Sequence, residues 1–243
     1  MKDFLIDIVE HTVRLGCFDT LRIDGTDDET KLSSTEKERT VVLRAKLHGV
    51  IPEFKGLFGI PNLALLNTIL SIPEYQEETA KITVERREIS GSEQPVNIKF
   101  ENSAGDFKNE FRFMSSNIID TVEPLLKFNV TSWPVSFEPT IAAQQRLKYQ
   151  SNANPSEPAI TFRIENGDVR ATIGDGSSHN GSFIFHTGVD KKIKETIVVP
   201  VLVVSSILTL SGNKKIQMGG PGMMISVDSG LANYDYIIPM LTK

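Results

Sequence analysis

Leu5, Ile8, Val9, Thr12 and Val13 recur at three- and four-residue steps and predict a helix over 4–15, with Gly16 as a natural stop. Strand-like runs follow at 17–24 and 40–48. Between them, 25–39 is rich in Asp, Glu, Ser, Thr and Lys and reads as a polar loop. Residues 57–60 read as a short strand. Pro61 suits the first turn of a helix over 62–71, where its missing N–H costs nothing. Three alternating runs come next: around Ile82 and Val84, through Val96, Ile98 and Phe100, and over 107–113, with a turn at 101–106. Residues 115–133 fit neither period and read as a connector. The pattern then restarts with a short strand at 135–137 and a helix over 139–151. Strands at 160–165 and 168–173 are joined by Asn166-Gly167, a hairpin signal. A strand at 182–186 leads to a strand running into a helix over 198–210, with Pro200 at the junction. Strands around Ile216, 223–228 and 234–240 close the chain.

The two strand–helix junctions match: GIPNLALLNTILS and VVPVLVVSSILTLSG each place a β-branched residue before Pro, Leu two residues later, and Ile-Leu near the end. Both occur at the same point in the order of elements. An internally duplicated α+β unit is therefore expected, four helix-plus-strand modules in all. The domains are expected at 1–116 and 134–243, with 117–133 as connector.

Composition narrows the function. Cys17 is the one cysteine among 243 residues, so neither a disulfide framework nor a cysteine metal cluster forms within one chain. This fits a reducing compartment. The opening residues lack a signal-peptide apolar core. The longest uncharged run, 196–210, is short against the roughly 20 residues a membrane span needs, and reads as a buried strand turning into a buried helix. No P-loop, zinc-binding histidine pair, nucleophile elbow or CxxC is present. His11, His48, His179 and His186 lack metal-ligand spacing and read as surface or strand residues. Glycine-rich 174–182 lies between strands and reads as a hairpin, and DGTDDE at 24–29 lacks the ligand order of a calcium loop. A non-enzymatic role without metal or cofactor is the expectation.

Charge is unevenly spread. The chain carries a formal net charge of −5, yet 139–156 holds no Asp or Glu while Arg146 and Lys148 sit within IAAQQRLKYQ. With Gln144 and Gln145 they would form a positive side opposite Ile141 and Leu147. Lys191, Lys192, Lys194, Lys214 and Lys215 add positive charge beside the last helix. The first helix offers Lys2, His11 and Arg14, but also Asp3, Asp7 and Glu10. Such basic faces suit salt-dependent, sequence-independent contact with phosphates.

Four helix-plus-strand modules in two similar domains, with the closing strand NYDYIIPML (233–241), resemble a DNA sliding clamp, the polymerase processivity factor. FKGLFGIPNLALLNTIL (54–70) and the compact length look most like the clamps of T4-like bacteriophages. The resemblance implies a DNA-clamp fold, with two helices per domain packed on antiparallel sheets. It also implies a homotrimeric ring whose helices line a hole for duplex DNA, with a DNA polymerase and a clamp loader as partners. Arg14, His11, Arg146, Lys148, Lys214 and Lys215 would face DNA. Tyr236, Ile238, Pro239, Leu125 and Leu126 would form an apolar pocket for partner peptides. The compartment implied is the cytoplasm, of the infected host if the protein is viral. Two departures stand out: the chain opens on a helix where many clamps open on a short strand, and the helices at 62–71 and 201–210 carry no charge. The alternative is a β-rich phage virion or tail protein that forms rings without clamp activity.

Overall fold

The computed structural model describes residues 1–89, 91–126, 132–174, 179–189 and 196–241. The chain divides into two units. The first comprises 1–36, 43–126 and 229–234, the second 37–42, 127–228 and 235–243.

The first unit opens with α1 (Lys2–Val13), which buries Leu5, Ile8, Val9, His11 and Thr12. Then come β1 (Leu21–Gly25), β2 (Thr30–Thr35), β3 (Val42–Leu47), a 3-10 turn (Pro52–Phe54) and β4 (Gly56–Ile60). Helices α2 (Leu63–Leu70) and α3 (Pro73–Gln76) lead into the antiparallel sheet β5 (Lys81–Ile89), β6 (Ser92–Glu101) and β7 (Lys108–Arg112), followed by α4 (Ser116–Val122). The other sheet runs β4-β1-β2-β3. Leu21, Ile23, Phe58, Leu66, Ile98 and Phe100 are buried here. Each such side chain stabilises the fold by about 1.5–3 kcal/mol on leaving water.

The second unit begins with β8 (Val135–Phe137) and α5 (Ile141–Ala153). Next come β9 (Ala159–Glu165), β10 (Asp168–Ile173), β11 (Gly181–His186), β12 (Ile197–Pro200) and α6 (Val201–Thr209). Strands β13 (Asn213–Gly219), β14 (Gly222–Asp228) and β15 (Ala232–Pro239) complete it, with residues 232–234 of β15 grouping with the first unit. One sheet runs β11-β10-β9-β12 and the other β15-β14-β13-β8. Numbering the strands between the two helices of each unit, both sheets read third-second-first-fourth. The duplication expected from the junctions is thus present in the topology. Strand β8 has no counterpart before α1.

Several local expectations need correction. The polar stretch 25–39 contains β2, because the residues that turn inward include hydroxyls. Thr30 and Ser34 are buried, and Ser34 Oγ donates to the Thr20 carbonyl at 2.6 Å. Helix α2 starts at Leu63. Asn62, at φ 45°, is its N-cap and accepts from the Leu65 N–H, so Pro61 lies outside the first turn. The segment read as an aperiodic connector holds α4, whose outward Ile118 and Val122 erase the amphipathic contrast with buried Ile119. Residues 127–131 of that connector, 175–178 of the glycine-rich stretch, and Lys191, Lys192 and Lys194 lie outside the described residues. Asn166 and Gly167, at φ 53° and 85°, make the expected tight hairpin between β9 and β10.

Candidate nucleic-acid interface

In the second unit, α5 packs Ala143 and Leu147 inward and α6 packs Val201, Val204, Ile207 and Leu208 inward. Between them lies a groove of about 520 Å³ whose floor and walls include the apolar Ile141, Leu147, Leu202 and Leu208, with Gln144, Lys148, Ser151, Asn152, Ser205 and Thr209 as its main polar groups. Arg146 and Lys148 are exposed, and neither helix carries a carboxylate. Thr140 caps α5 by accepting from the Ala143 N–H at 3.1 Å. Ser205 Oγ is buried and finds no hydrogen-bond partner among the described residues. The groove thus offers cationic, amide and hydroxyl donors, a set suited to phosphate oxygens without base discrimination. Ile141 is 75% exposed, Leu202 70% and Tyr149 68%. Ile141 therefore does not sit with Leu147 on a buried side, as the sequence had suggested.

The remaining residues expected to face DNA are placed differently. Arg14 is exposed at the end of α1, where it pairs with Glu10 at 3.1 Å, so its charge is partly neutralised. His11 is 0% exposed, and its expected DNA contact is corrected by this burial. Its ring stacks on Tyr234 at 4.4 Å and 7°, and its Nδ1 lies 2.8 Å from the Asp7 carbonyl oxygen. The Asp7 carboxylate accepts from Tyr234 Oη at 2.7 Å and Ser229 Oγ at 2.9 Å. Burial pushes the Asp7 pKa up, but the hydrogen bonds from His11, Tyr234 and Ser229 and the His11 charge outweigh it and leave it lowered. Lys214 and Lys215 lie in β13, and as neighbours on a strand they point to opposite faces. Lys214 shares its side with buried Ile216 and Met218, donates to the Gly212 carbonyl at 2.9 Å, and has its pKa lowered by burial. Lys215 is exposed. Helix α2 shows only Ala64, Leu65, Thr68 and Ser71 as exposed positions in and just after it.

Of the five residues expected to take a partner peptide, Tyr236 and Ile238 are fully buried and belong to the strand core. Strand alternation and the tight β14–β15 packing leave them no surface. Pro239 and Leu126 are half-buried and Leu125 is exposed. The hydroxyls of α6 were missed in the sequence. Their signal was Ser205, Ser206 and Thr209 on an otherwise apolar helix.

Among the described residues six strands end a strand order: β4, β5, β7, β8, β11 and β12. Strands β7 and β11 each terminate the strand order of their sheet. The corresponding position in the first unit, the outer edge of β3, is occupied by the last strand, through residues that group with that unit.

Among the described residues no group of three His, Cys, Asp or Glu could hold a metal ion, and no helix is long and apolar enough to cross a membrane. No protein-family model and no curated protein matches the chain. Solved structures do. One, described as the C-terminal region of FEN-1 bound to A. fulgidus PCNA, superposes with a TM-score of 0.67 at 13% identity, covering 100% of this chain and 96% of the other. PCNA from Thermococcus kodakaraensis superposes with a TM-score of 0.66 at 12% identity, covering 99% and 97%. The chain has the fold of the PCNA sliding clamps along its whole length.

Proposed function

We propose that this chain is a DNA sliding clamp, a non-enzymatic homotrimeric ring that encircles duplex DNA and tethers a replicative polymerase after placement by a clamp loader. The observation that carries the reading is the duplicated third-second-first-fourth strand order, together with the end positions of β11 in the second unit's copy and of β7 in the β5-β6-β7 sheet. The third strand of the first unit, β3, is paired by the last strand of the chain. The counterpart pairing joins β11, the third strand of the second unit, to β7, the last strand of the first. Supplied by a neighbouring copy, that head-to-tail contact satisfies both edges and generates a ring when its rotation closes. The carboxylate-free faces of α5 and α6 supply the DNA-facing surface, with Arg146 and Lys148 as its cations. Leu125, Leu126 and Pro239 are the candidates for partner-peptide contact, as suggested by the solved clamp with a FEN-1 segment bound. The sequence of 54–70 and the compact length favour the T4-like bacteriophage branch, and with it the host cytoplasm.

Light scattering across a dilution series tests the ring: the expected species has three times the 27.0 kDa chain mass. Retention on closed circular DNA, with loss on linearisation, tests the topological link once a loader is supplied. A persistent monomer would sink the proposal. A trimer indifferent to DNA topology would favour a structural ring.

A further inference from the structure

The outer faces of the two third-second-first-fourth sheets differ in what covers them. In the first unit Leu21 pairs with Ile60 and Arg22 with Gly59, just before Pro61. In the second, Ile160 pairs with Val199 and Thr161 with Val198, just before Pro200. Gly59 and Val198 are therefore equivalent, as are Arg22 and Thr161. The chain leaving each last strand also behaves alike. Met114 exchanges hydrogen bonds with Gly59 at 2.8 and 3.0 Å, and the Leu241 N–H donates to the Val198 carbonyl at 2.8 Å.

Beyond Met114 the first unit covers this shelf itself. Helix α4 seats Ile119 over Gly59, where an added Cβ would come within 2.6 Å of the Ile119 side chain. Asp120 meets Arg22 at 2.6 Å. Aliphatic insertion and a carboxylate on the shelf's arginine are thus the means by which this fold closes that face.

In the second unit the same shelf is a hollow of about 720 Å³. Thr161, Thr172 and Thr196 contribute hydroxyls, and Val198, Met240 and Leu241 an apolar wall. No residue of α5 or α6 lines it. Its lining holds one cation and one carboxylate, Arg163 and Glu157; Arg163 is exposed and its Nε donates to Thr196 Oγ1 at 3.2 Å. Arg163 stands directly across from Arg170 in the β9–β10 register, a like-charge pair that a bound carboxylate would relieve. Arg170 already pairs with Glu165 at 2.8 Å. Arg163 has no carboxylate partner among the described residues. Val198 carries a side chain where Gly59 has none, so a copy of α4 does not fit. The occupant needs its aliphatic group against Met240 and Leu241 and its acid shifted towards Arg163.

We propose that this hollow docks a short acidic–aliphatic peptide segment of a partner protein, with a carboxylate on Arg163 and an aliphatic side chain against Val198, Met240 and Leu241. None of the residues assigned above to partner-peptide contact lines it, so it is a separate surface, and the inference stands whether or not the chain encircles DNA.

The probe is a terminally blocked peptide of alternating aspartate and leucine, titrated into the full-length protein while backbone amide NMR shifts are followed. Shifts are expected at Thr161, Arg163, Thr172, Val198 and Leu241. Arg163→Glu should weaken binding about tenfold or more, as should replacing the aspartates by asparagine. Its thermal melt should match the wild type, because Arg163 is exposed. Shifts centred on Arg146 and Lys148, undiminished binding by Arg163→Glu, equal binding of the asparagine peptide, or no shift at millimolar peptide would each overturn the assignment. The oligomeric mass is measured on the same samples, so failure here is distinguishable from failure of the ring.

Discussion

Asp7 shows how one half-buried carboxylate can hold distant parts of a chain. Its oxygens receive Tyr234 and Ser229 from more than two hundred residues away, and His11 closes the cluster by stacking on Tyr234. Its pKa is lowered in the fold, so its contribution is complete above the ordinary value of 3.8 and is lost as pH falls through the depressed one. We predict that Asp7→Asn costs about 1–3 kcal/mol in urea unfolding at neutral pH and flattens the acid limb of the stability profile. Cys17 gives a second test. Burial, with Glu36 adding to it, pushes its thiol up to about 11. Alkylation at pH 8 should run roughly a hundredfold slower than that of a free thiol, following the thiolate fraction. A rate equal to that of a model thiol would contradict the half-buried placement. Neither environment could be read from the sequence. His11 looked like one more polar residue on a charged helix, because the ring that buries it comes from the far end of the chain.

At the scale of elements, legibility depended on contrast between the two sides. α1, α5 and α6, and the strands of both hairpin-rich stretches, were legible because their buried positions are apolar and regularly spaced. β2 was not, because Thr30 and Ser34 point inward and their hydroxyls are satisfied by backbone partners. α4 was not, because Ile118 and Val122 remain on the surface beside buried Ile119. Its anchorage depends on the absence of a side chain at Gly59. Gly59→Val should displace Ile119, cost about 1–3 kcal/mol by overpacking, and speed proteolysis near α4. Unchanged stability would mean that α4 re-seats without loss. The acid response of β11 belongs here too. Burial lowers the pKa of His186, with Asp168 opposing it, and the ring stacks on Phe137 at 4.3 Å. Its stabilising contribution is complete above pH 6.5 and is lost as pH falls through the lowered value.

For the whole molecule, the charge-poor stretch 139–156 signalled a surface kept free of carboxylates, and the fold places it on a helix face. The sequence could not show that β7 and β11 end their sheets, since an edge is defined by what fails to pair. Two predictions belong to this scale. Arg146→Glu combined with Lys148→Glu should abolish retention on circular DNA while leaving the melting temperature within a few degrees, because both side chains are exposed. Full retention would remove α5 from the DNA-facing surface. Ile184→Lys, on the open strand β11, should yield a folded monomer, since an edge lysine opposes strand addition. An unchanged mass would show that assembly does not use β11.

Residues 229–234 complete the first unit, although all the rest of that unit precedes residue 127. Domains commonly fold in order as they leave the ribosome. This one has to wait: while residues 127–228 are being made, β3 lacks its neighbouring strand and Asp7 lacks Tyr234 and Ser229. Vectorial synthesis therefore leaves the first unit unfinished until the second is nearly complete.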